Sequence, residues 1–284
     1  MSLSASRSAV PRLEWLASSP STNSALVELA SGAEAGSWPE LSVVVTDNQT
    51  AGRGRLGREW VAPAGRTLAI SVLLRPGAGA AALPFDSYGW IPLFAGVAMA
   101  EALRSFVDAD RLTSVKWPND VQVDGLKISG ILSELVPATR DVVVGAGVNL
   151  FFSADELPVT TATSLSLVSD SEFTVDGVLS AYLRELTGLY GAFVSHGGDA
   201  VASGIAQAVA AECGTLNRSV RVELPDASVV TGTATGLDAL GRLVVVPDAH
   251  PHTAAHAGLH TDAGAASPTD PLVVSAGDVT HLRY

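Results

Sequence analysis

Lysine is nearly absent from this chain. Of 17 basic residues in 284, only Lys116 and Lys127 are lysines; the other 15 are arginines. Cysteine occurs once, as Cys213. That excludes an internal disulfide and any Cys-x-x-Cys metal site, and it fits a reducing compartment. The plainest role for Cys213 is a small buried apolar side chain. Positive charge is scarce as well: 29 acidic residues leave a formal net charge of −12. A general nucleic-acid binder needs a basic surface to meet phosphates, so that class is disfavoured. No apolar run reaches the ~18 residues of a membrane helix. The N-terminal MSLSASRSAVPRLEW lacks the continuous apolar stretch of a signal peptide. A soluble, cytoplasmic protein is expected.

What the chain does have is core. Hydrophobic residues make up 47% of it, and at roughly 150 residues per domain its length suits one large or two unequal domains. Residues 1–20 are expected to hold little structure. Ser21-Thr22-Asn23 precedes Ala25, Leu26, Leu29 and Ala30 at helical spacing, an N-cap signal. Leu41–Thr46 and Thr67–Leu74 are apolar strands, with a Gly/Arg-rich loop over 48–66 between them. Ile91–Val107 is a core helix. Leu112–Trp117, Val121–Val123, Leu126–Leu135 and Val142–Val148 are strands, and Asp124-Gly125 marks a tight hairpin. Val175–Phe193, capped by Thr174, and Ala200–Cys213 are helices. From Gly214 the pattern changes to five short strands: Val220–Leu224, Val229–Thr235, Arg242–Val246, Leu272–Ser275 and Val279–Leu282. Such spacing predicts a small β-barrel. His250, His252, His256 and His260 fall in an Ala/Gly/Thr/Pro-rich stretch over 249–270, expected as a loop between barrel strands.

Two segments carry chemistry. Residues 52–60 read Gly-Arg-Gly-Arg-Leu-Gly-Arg-Glu-Trp. Gly52, Gly54 and Gly57 match a dinucleotide-binding G-x-G-x-x-G, but Pro63 and Gly65 break the helix that must follow. Arg53, Arg55 and Arg58 on a glycine backbone instead suit the anion of a small molecule, because guanidinium forks match carboxylate and phosphate. Glycine lets such a loop fold over a ligand, with Trp60 as a stacking or lid residue; an exposed loop of solvated arginines is the alternative. Residues 116–134 read KWPNDVQVDGLKISGILSE. Asn119 and Asp120 follow Pro118 at a turn. Lys127 enters an otherwise apolar strand, which is costly without an anion partner. Lys116 also fits a strand end with its stem on apolar surface. Gly130 allows close backbone approach. Gly145-Ala146-Gly147-Val148-Asn149 ends a further strand, where Asn149 serves either a ligand or a plain turn.

Together these residues resemble biotin–protein ligases, that is, biotin–[acetyl-CoA-carboxylase] ligases. The matching pieces are Ser21-Thr22-Asn23, Gln49 through Trp60 (QTAGRGRLGREW), Lys116 through Asp120 (KWPND), Gly125 through Leu132 (GLKISGIL), Gly145 through Asn149 (GAGVN) and Ala276 through Val279 (AGDV). They run in order along nearly the whole chain, and the combination of GRGRxGRxW with KWPND is highly specific. The resemblance implies an α+β fold: a mixed-sheet, class II synthetase-like catalytic domain over 1–213, then an SH3-like β-barrel over 214–284. It implies that biotin and ATP, with Mg²⁺ on the phosphates, form biotinyl-5′-AMP. Biotin then passes to one lysine of a biotin carboxyl carrier domain. Lys127, Arg53 and Asp120 match catalytic positions. Ser21, Thr22, Asn23, Gln49, Gly52, Arg53, Lys127, Gly130, Ile131 and Gly145 match the biotin pocket. Arg53, Arg55, Arg58, Trp60, Asn119, Lys127 and Asn149 match the nucleotide side. No protein metal ligand is expected.

Two departures from the pattern matter. Leu56 stands where some relatives carry another arginine. Only 20 residues precede Ser21, too few for the winged helix-turn-helix of relatives that double as repressors; a ligase without DNA binding, monomeric or weakly dimeric and off the membrane, is expected. Three alternatives remain: a lipoate or octanoate transferase of the same superfamily, a non-catalytic biotin sensor, and a metal site on the histidine loop. The spacing of His256 and His260 suits metal binding, but their Ala/Gly/Pro surroundings do not favour a fixed helix.

Overall fold

The computed structural model describes residues 2–60, 62–78, 82–224, 226–248, 270–275 and 277–282. The expected histidine loop over 249–270 lies almost wholly outside them.

A seven-stranded mixed sheet organises the first 149 residues. Its strands are β1 (Leu13–Trp15), β2 (Val43–Thr46), β5 (Thr67–Leu74), β6 (Thr113–Lys116), β7 (Asp120–Val123), β8 (Leu126–Val136) and β9 (Asp141–Asn149). Their spatial order is β1-β2-β5-β9-β8-β7-β6, with β1 and β2 parallel and every other neighbour antiparallel. Two-residue strands β3 (Gly52–Arg53) and β4 (Glu59–Trp60) pair with each other outside this sheet. β5 is buried at all eight positions and lies between two partners. That is why its sequence is a nearly continuous apolar run rather than an alternating one.

Helix α3 (Trp90–Arg104) packs one sheet face, and α4 (Val175–Ser195) and α5 (Ile205–Glu212) lie against it. Helix α2 (Thr22–Ser31) packs on β2, β5 and β9. The N-caps are as expected: Ser21 Oγ accepts from Ser24 N–H, and Thr174 Oγ1 accepts from Gly177 N–H. The Asp124-Gly125 turn has φ of 51° and 79°, the doubly left-handed pair of a type I′ hairpin.

The second sheet is antiparallel, ordered β13-β12-β11-β10-β14: β10 (Ser219–Glu223), β11 (Val229–Leu237), β12 (Leu243–Pro247), β13 (Leu272–Val274) and β14 (Asp278–His281). It is the small SH3-like unit. One apolar core continues from the first sheet into it, through residues such as Trp90, Trp117, Val220 and Leu243. The indole N–H groups of Trp90 and Trp117 donate to the carbonyls of Ala239 and Gly241.

Three expectations need correction. Residues 1–20 are structured. Helix α1 (Ser4–Ala9) is anchored by Asp176, whose carboxylate accepts from the N–H groups of Ala5 and Ser6 and from Ser6 Oγ; β1 then adds to the edge of β2. That anchor is 170 residues away, so no local pattern signals it. The 48–66 loop contains the β3–β4 pair and a 3₁₀ turn over Arg55–Gly57. The last helix before the barrel starts at Ile205 rather than Ala200, because Gly204 takes φ of 77° ahead of it.

Candidate active site

The sheet face opposite α3 is cleared of side chains in one patch. Gly130 on β8 pairs with Gly147 on β9, and Gly145 pairs with Leu132 on one side and Ser71 on the other. Neighbouring side chains fill the space these glycines leave. A Cβ at Gly147 would lie 2.7 Å from Cε2 of Trp60, and one at Gly145 would lie 2.4 Å from Oδ1 of Asn23. The glycines are there because Trp60 and Asn23 come down onto the strands.

Asn23 is pinned. Its Nδ2 donates to Glu134 Oε2 at 2.7 Å and to the Leu132 carbonyl at 3.1 Å, and its Oδ1 accepts from Ser71 Oγ at 2.6 Å. The Thr22 N–H, one of the free donors of the first turn of α2, is taken by Gln49 Oε1 at 2.9 Å. These contacts fix a polar end to the cavity.

The other end is cationic. Lys127 Nζ lies 2.7 Å from Asp120 Oδ1 and 5.6 Å from the centre of the Trp60 ring, within cation–π range. A register shift explains how Lys127 gets there. Val121 pairs with Ser129 but Gln122 pairs with Lys127, so Ile128 is an extra residue on β8. Residues three apart on a regular strand face opposite ways; the bulge reverses that parity. Lys127 therefore lies over Gly130, with Nζ 3.1 Å from where a Cβ would be.

Asn119 is fixed by its Nδ2 donating to the Ile131 carbonyl, and its Oδ1 accepts from Arg55 Nη1 at 3.1 Å. Arg53 Nη2 donates to Ser24 Oγ and Glu134 Oε2, both at 2.9 Å. Arg58 Nη2 meets Asp278 Oδ2 of the barrel at 2.5 Å. The Arg58 hydrogen bond is the largest influence holding the Asp278 carboxyl below the usual range. Burial pulls the Arg55 guanidinium down from its ordinary value, and Asp120 and Asp278 push it back up.

The cavity between these two ends has a volume of about 140 Å³, below the roughly 300–1,000 Å³ usual for ligand pockets. A second space beneath the 52–60 segment adjoins it, lined by residues 48–60 and Leu132–Glu134.

Of the residues singled out in the sequence, Ser21, Thr22, Asn23, Gln49, Arg53, Arg55, Arg58, Trp60, Asn119, Asp120, Lys127, Gly130, Ile131 and Gly145 all line this cavity. Gly52 lines the adjoining space. Asn149 lines neither: it is buried, and its Nδ2 donates to the Thr163 carbonyl. Three neighbours were not assigned from the sequence. Ser71 is a polar residue inside an apolar strand, a detectable signal. Glu134 follows from β8 alternation, two and four residues beyond Leu132 and Gly130. Asp278 sits in a matching motif but belongs to the other sheet. Among the described residues no group of three or more His, Cys, Asp or Glu side chains is placed to hold a metal, and no helix is long and apolar enough to cross a membrane.

Residues 15–149 match the model of the biotin/lipoate A/B protein ligase family, and residues 215–252 match that of the biotin protein ligase C-terminal domain. The chain is 33% identical over 274 residues to the biotin–[acetyl-CoA-carboxylase] ligase of Mycobacterium tuberculosis, covering 96% of this chain and 90% of that one. It is 40% identical over 143 residues to the ligase of the same name from Paracoccus denitrificans, covering 49% and 55%. The structure of the biotin protein ligase from Aquifex aeolicus in complex with biotin and ATP superposes with a TM-score of 0.70 at 23% identity, covering 95% of this chain and 99% of that one.

Proposed function

The chain belongs to the biotin–protein ligase family, and from that premise we propose how its residues divide the work of joining biotin to a carrier lysine with ATP. The observation that carries the assignment is the cavity itself: a fixed polar end, a glycine floor and a cationic end, built from the motifs that define the resemblance.

The polar end, Ser21, Thr22, Asn23 and Gln49, takes the head of biotin, so its carboxylate reaches toward Lys127 and Arg53. Adenylation brings that carboxylate onto the α-phosphate of ATP. The carboxylate oxygen bonds to phosphorus, the bridging P–O bond breaks and pyrophosphate departs. Two anions meet, so neutralising charge is the main requirement. Lys127 supplies a compact ammonium there; Arg53 supplies a fork once it exchanges Glu134 for the ligand. Arg55, Arg58 and Asn119 serve the nucleotide, with Trp60 closing over the ligands. In the second step the carrier's ε-amine attacks the acyl carbon, AMP leaves and the amine loses a proton. Asp120 is placed to orient that amine or take its proton.

Mg²⁺ prefers oxygen ligands and keeps several waters. The carboxylates at this end, Asp120 and Asp278, each face a cation of the protein. The ion fits as a passenger on the ATP phosphates rather than in a protein cage. Residues 1–213 form the catalytic domain in this reading and 214–284 the barrel domain, which lends Asp278 to the cavity mouth. The partner is a biotin carboxyl carrier domain in a reducing cytoplasm, and the net charge of −12 disfavours a nucleic-acid partner.

The test is a streptavidin blot of a purified carrier domain incubated with this protein, biotin and Mg-ATP. Labelling that needs both small molecules is expected; transfer of lipoate or octanoate in place of biotin would overturn the assignment. A second measurement addresses the 52–60 segment. Trypsin cleavage after Arg55 and Arg58 is expected to slow about tenfold or more when biotin and ATP are added together, because a closed segment must open before it can be cut. Cleavage at an unchanged rate would remove the lid role.

A further inference from the structure

We propose that Lys116 is a catalytic residue of the first step only: the cation that meets the pyrophosphate as it leaves. The inference rests on the ligase reading and deepens it.

Lys116 ends β6, where burial alternates. Thr113 and Val115 turn to the core on the α3 side, Ser114 and Lys116 to the opposite face. The register then fixes the neighbours of Lys116. It pairs with Asp120, Asp120 with Gly130 and Gly130 with Gly147. Directly paired residues of antiparallel strands share a face, with Cβ atoms about 5 Å apart. One rung therefore crosses the cavity floor: Gly147 beneath Trp60, Gly130 beneath Lys127, then Asp120, then Lys116. Asp278 of the barrel lies near its far end. Its carboxyl is held down first by the hydrogen bond from Arg58, and the charges of Arg58, Lys116 and Arg55 add to that.

Lys116 is also the unspent charge of this group. Arg55, Arg58 and Lys127 each hold an acceptor, on Asn119, Asp278 and Asp120. Among the described residues the half-buried Lys116 ammonium has no ion pair and no hydrogen bond. A bound anion relieves the cost of leaving such a charge unpaired.

The chemistry is directional. The biotin carboxylate comes from the polar end, on the α2 and β9 side. Lys127 marks the phosphorus, over Gly130 on β8. Entering and leaving oxygens lie roughly in line in phosphoryl transfer. The bond that breaks therefore points onward across the strands, over Asp120 on β7 toward Lys116 on β6. When the bridging P–O bond breaks, its electron pair stays on the pyrophosphate oxygen, and negative charge grows there without any proton moving. Lys116 stands two strand spacings from Gly130, about 10 Å, so it meets that charge without competing with Lys127 for the α-phosphate. The two lysines divide the step: Lys127 serves the bond that forms, Lys116 the bond that breaks. Biotinyl-5′-AMP carries no pyrophosphate, so Lys116 has no part in the second step.

Lys116→Met keeps the apolar stem and removes the charge. Two assays of the full chain separate the steps: biotin-dependent ATP–pyrophosphate exchange, and single-turnover transfer from pre-formed biotinyl-5′-AMP to a carrier domain. Lys116→Met is expected to slow exchange about 10²-fold or more and to raise its KM for pyrophosphate about tenfold or more, with the KM for biotin and the transfer rate within about twofold of wild type. Lys116→Arg, which returns the charge, should recover most of the exchange. Exchange by Lys116→Met within about threefold of an active wild type overturns the assignment. So does a variant that slows both steps alike or loses them together with its melting temperature, the signature of a lysine that only supports the β6–β7 turn. Wild-type protein without any biotin-dependent exchange overturns the ligase reading itself, and the role of Lys116 falls with it.

Discussion

Lys127→Ala is expected to fold and to lose at least about 10³-fold of its adenylate-forming rate, the scale on which a single charge at the transition state acts in phosphoryl transfer. The two halves of that expectation have separate grounds. Stability is little affected, because Lys127 and Asp120 keep 34% and 22% of their side-chain surface exposed. Pairs that reach water contribute about 1 kcal/mol or less, and the Asp120 carboxylate left behind is still partly hydrated. Rate is strongly affected, because the ammonium is held where carboxylate and phosphate must meet: over Gly130, against Asp120 and beneath Trp60. Arginine should not substitute. Its fork needs width, and Nζ already lies 3.1 Å from the space above Gly130. Pyrophosphate exchange reads the first step, and single-turnover transfer from pre-formed biotinyl-AMP reads the second. Exchange within tenfold of wild type would end the assignment of Lys127.

The scarcity of lysine takes on a different meaning beside this geometry. The count alone, two lysines among 17 basic residues, says nothing of where they are. Lys127 is ion-paired inside the cavity, and Lys116 is half-buried on β6, where its charge helps hold the Asp278 carboxyl down. A chain that generates an amine-reactive acyl adenylate thus presents no fully exposed lysine side chain of its own.

Most of the strands were legible because each is apolar and punctuated. Thr67–Leu74 is bounded by the sequence at the residues where β5 begins and ends, and the Asp124-Gly125 hairpin has the backbone its dipeptide demands. What was not legible depends on parity or on distance. No periodicity places Lys127 and Gly130 on one face, because the bulge at Ile128 is a property of pairing with β7 rather than of β8 alone. The order in residues 1–20 depends on Asp176, and the Arg58 contact depends on a barrel residue 220 positions on. Asn149 shows a different limit: its motif matched, and the structure places it buried, outside the cavity lining, with its Nδ2 donating to the Thr163 carbonyl.

Gly145→Ala is expected to raise the KM for biotin about a hundredfold or more, because it displaces a residue of the binding end rather than removing one contact. Gly145 sits in β9 between Ser71 and Leu132 in an extended strand, so alanine's backbone is allowed and any harm comes from the Cβ. That carbon would lie 2.4 Å from Asn23 Oδ1 and 2.9 Å from its Cγ and Nδ2. The side chain cannot yield cheaply, since its amide is bonded to Ser71, Leu132 and Glu134 and it is 4% exposed. Either the first turn of α2 is lifted off the sheet or Asn23 abandons all three bonds. Overpacking of this kind costs about 1–3 kcal/mol, and at this chain length each of those lowers the melting temperature by roughly 2–4 °C. Adding Asn23→Ala relieves the clash, so the double variant should melt no lower than Asn23→Ala alone while its biotin KM stays high: the strain is gone but so is the orienting amide. Gly188→Ala is the control for a harmless methyl. It lies exposed within α4, where a Cβ meets nothing within 4 Å among the described residues, and alanine there should stabilise by about 0.5–1 kcal/mol. Wild-type biotin KM and melting in Gly145→Ala would show that Asn23 has room the structure does not give it, and the role assigned to the polar end would have to be withdrawn.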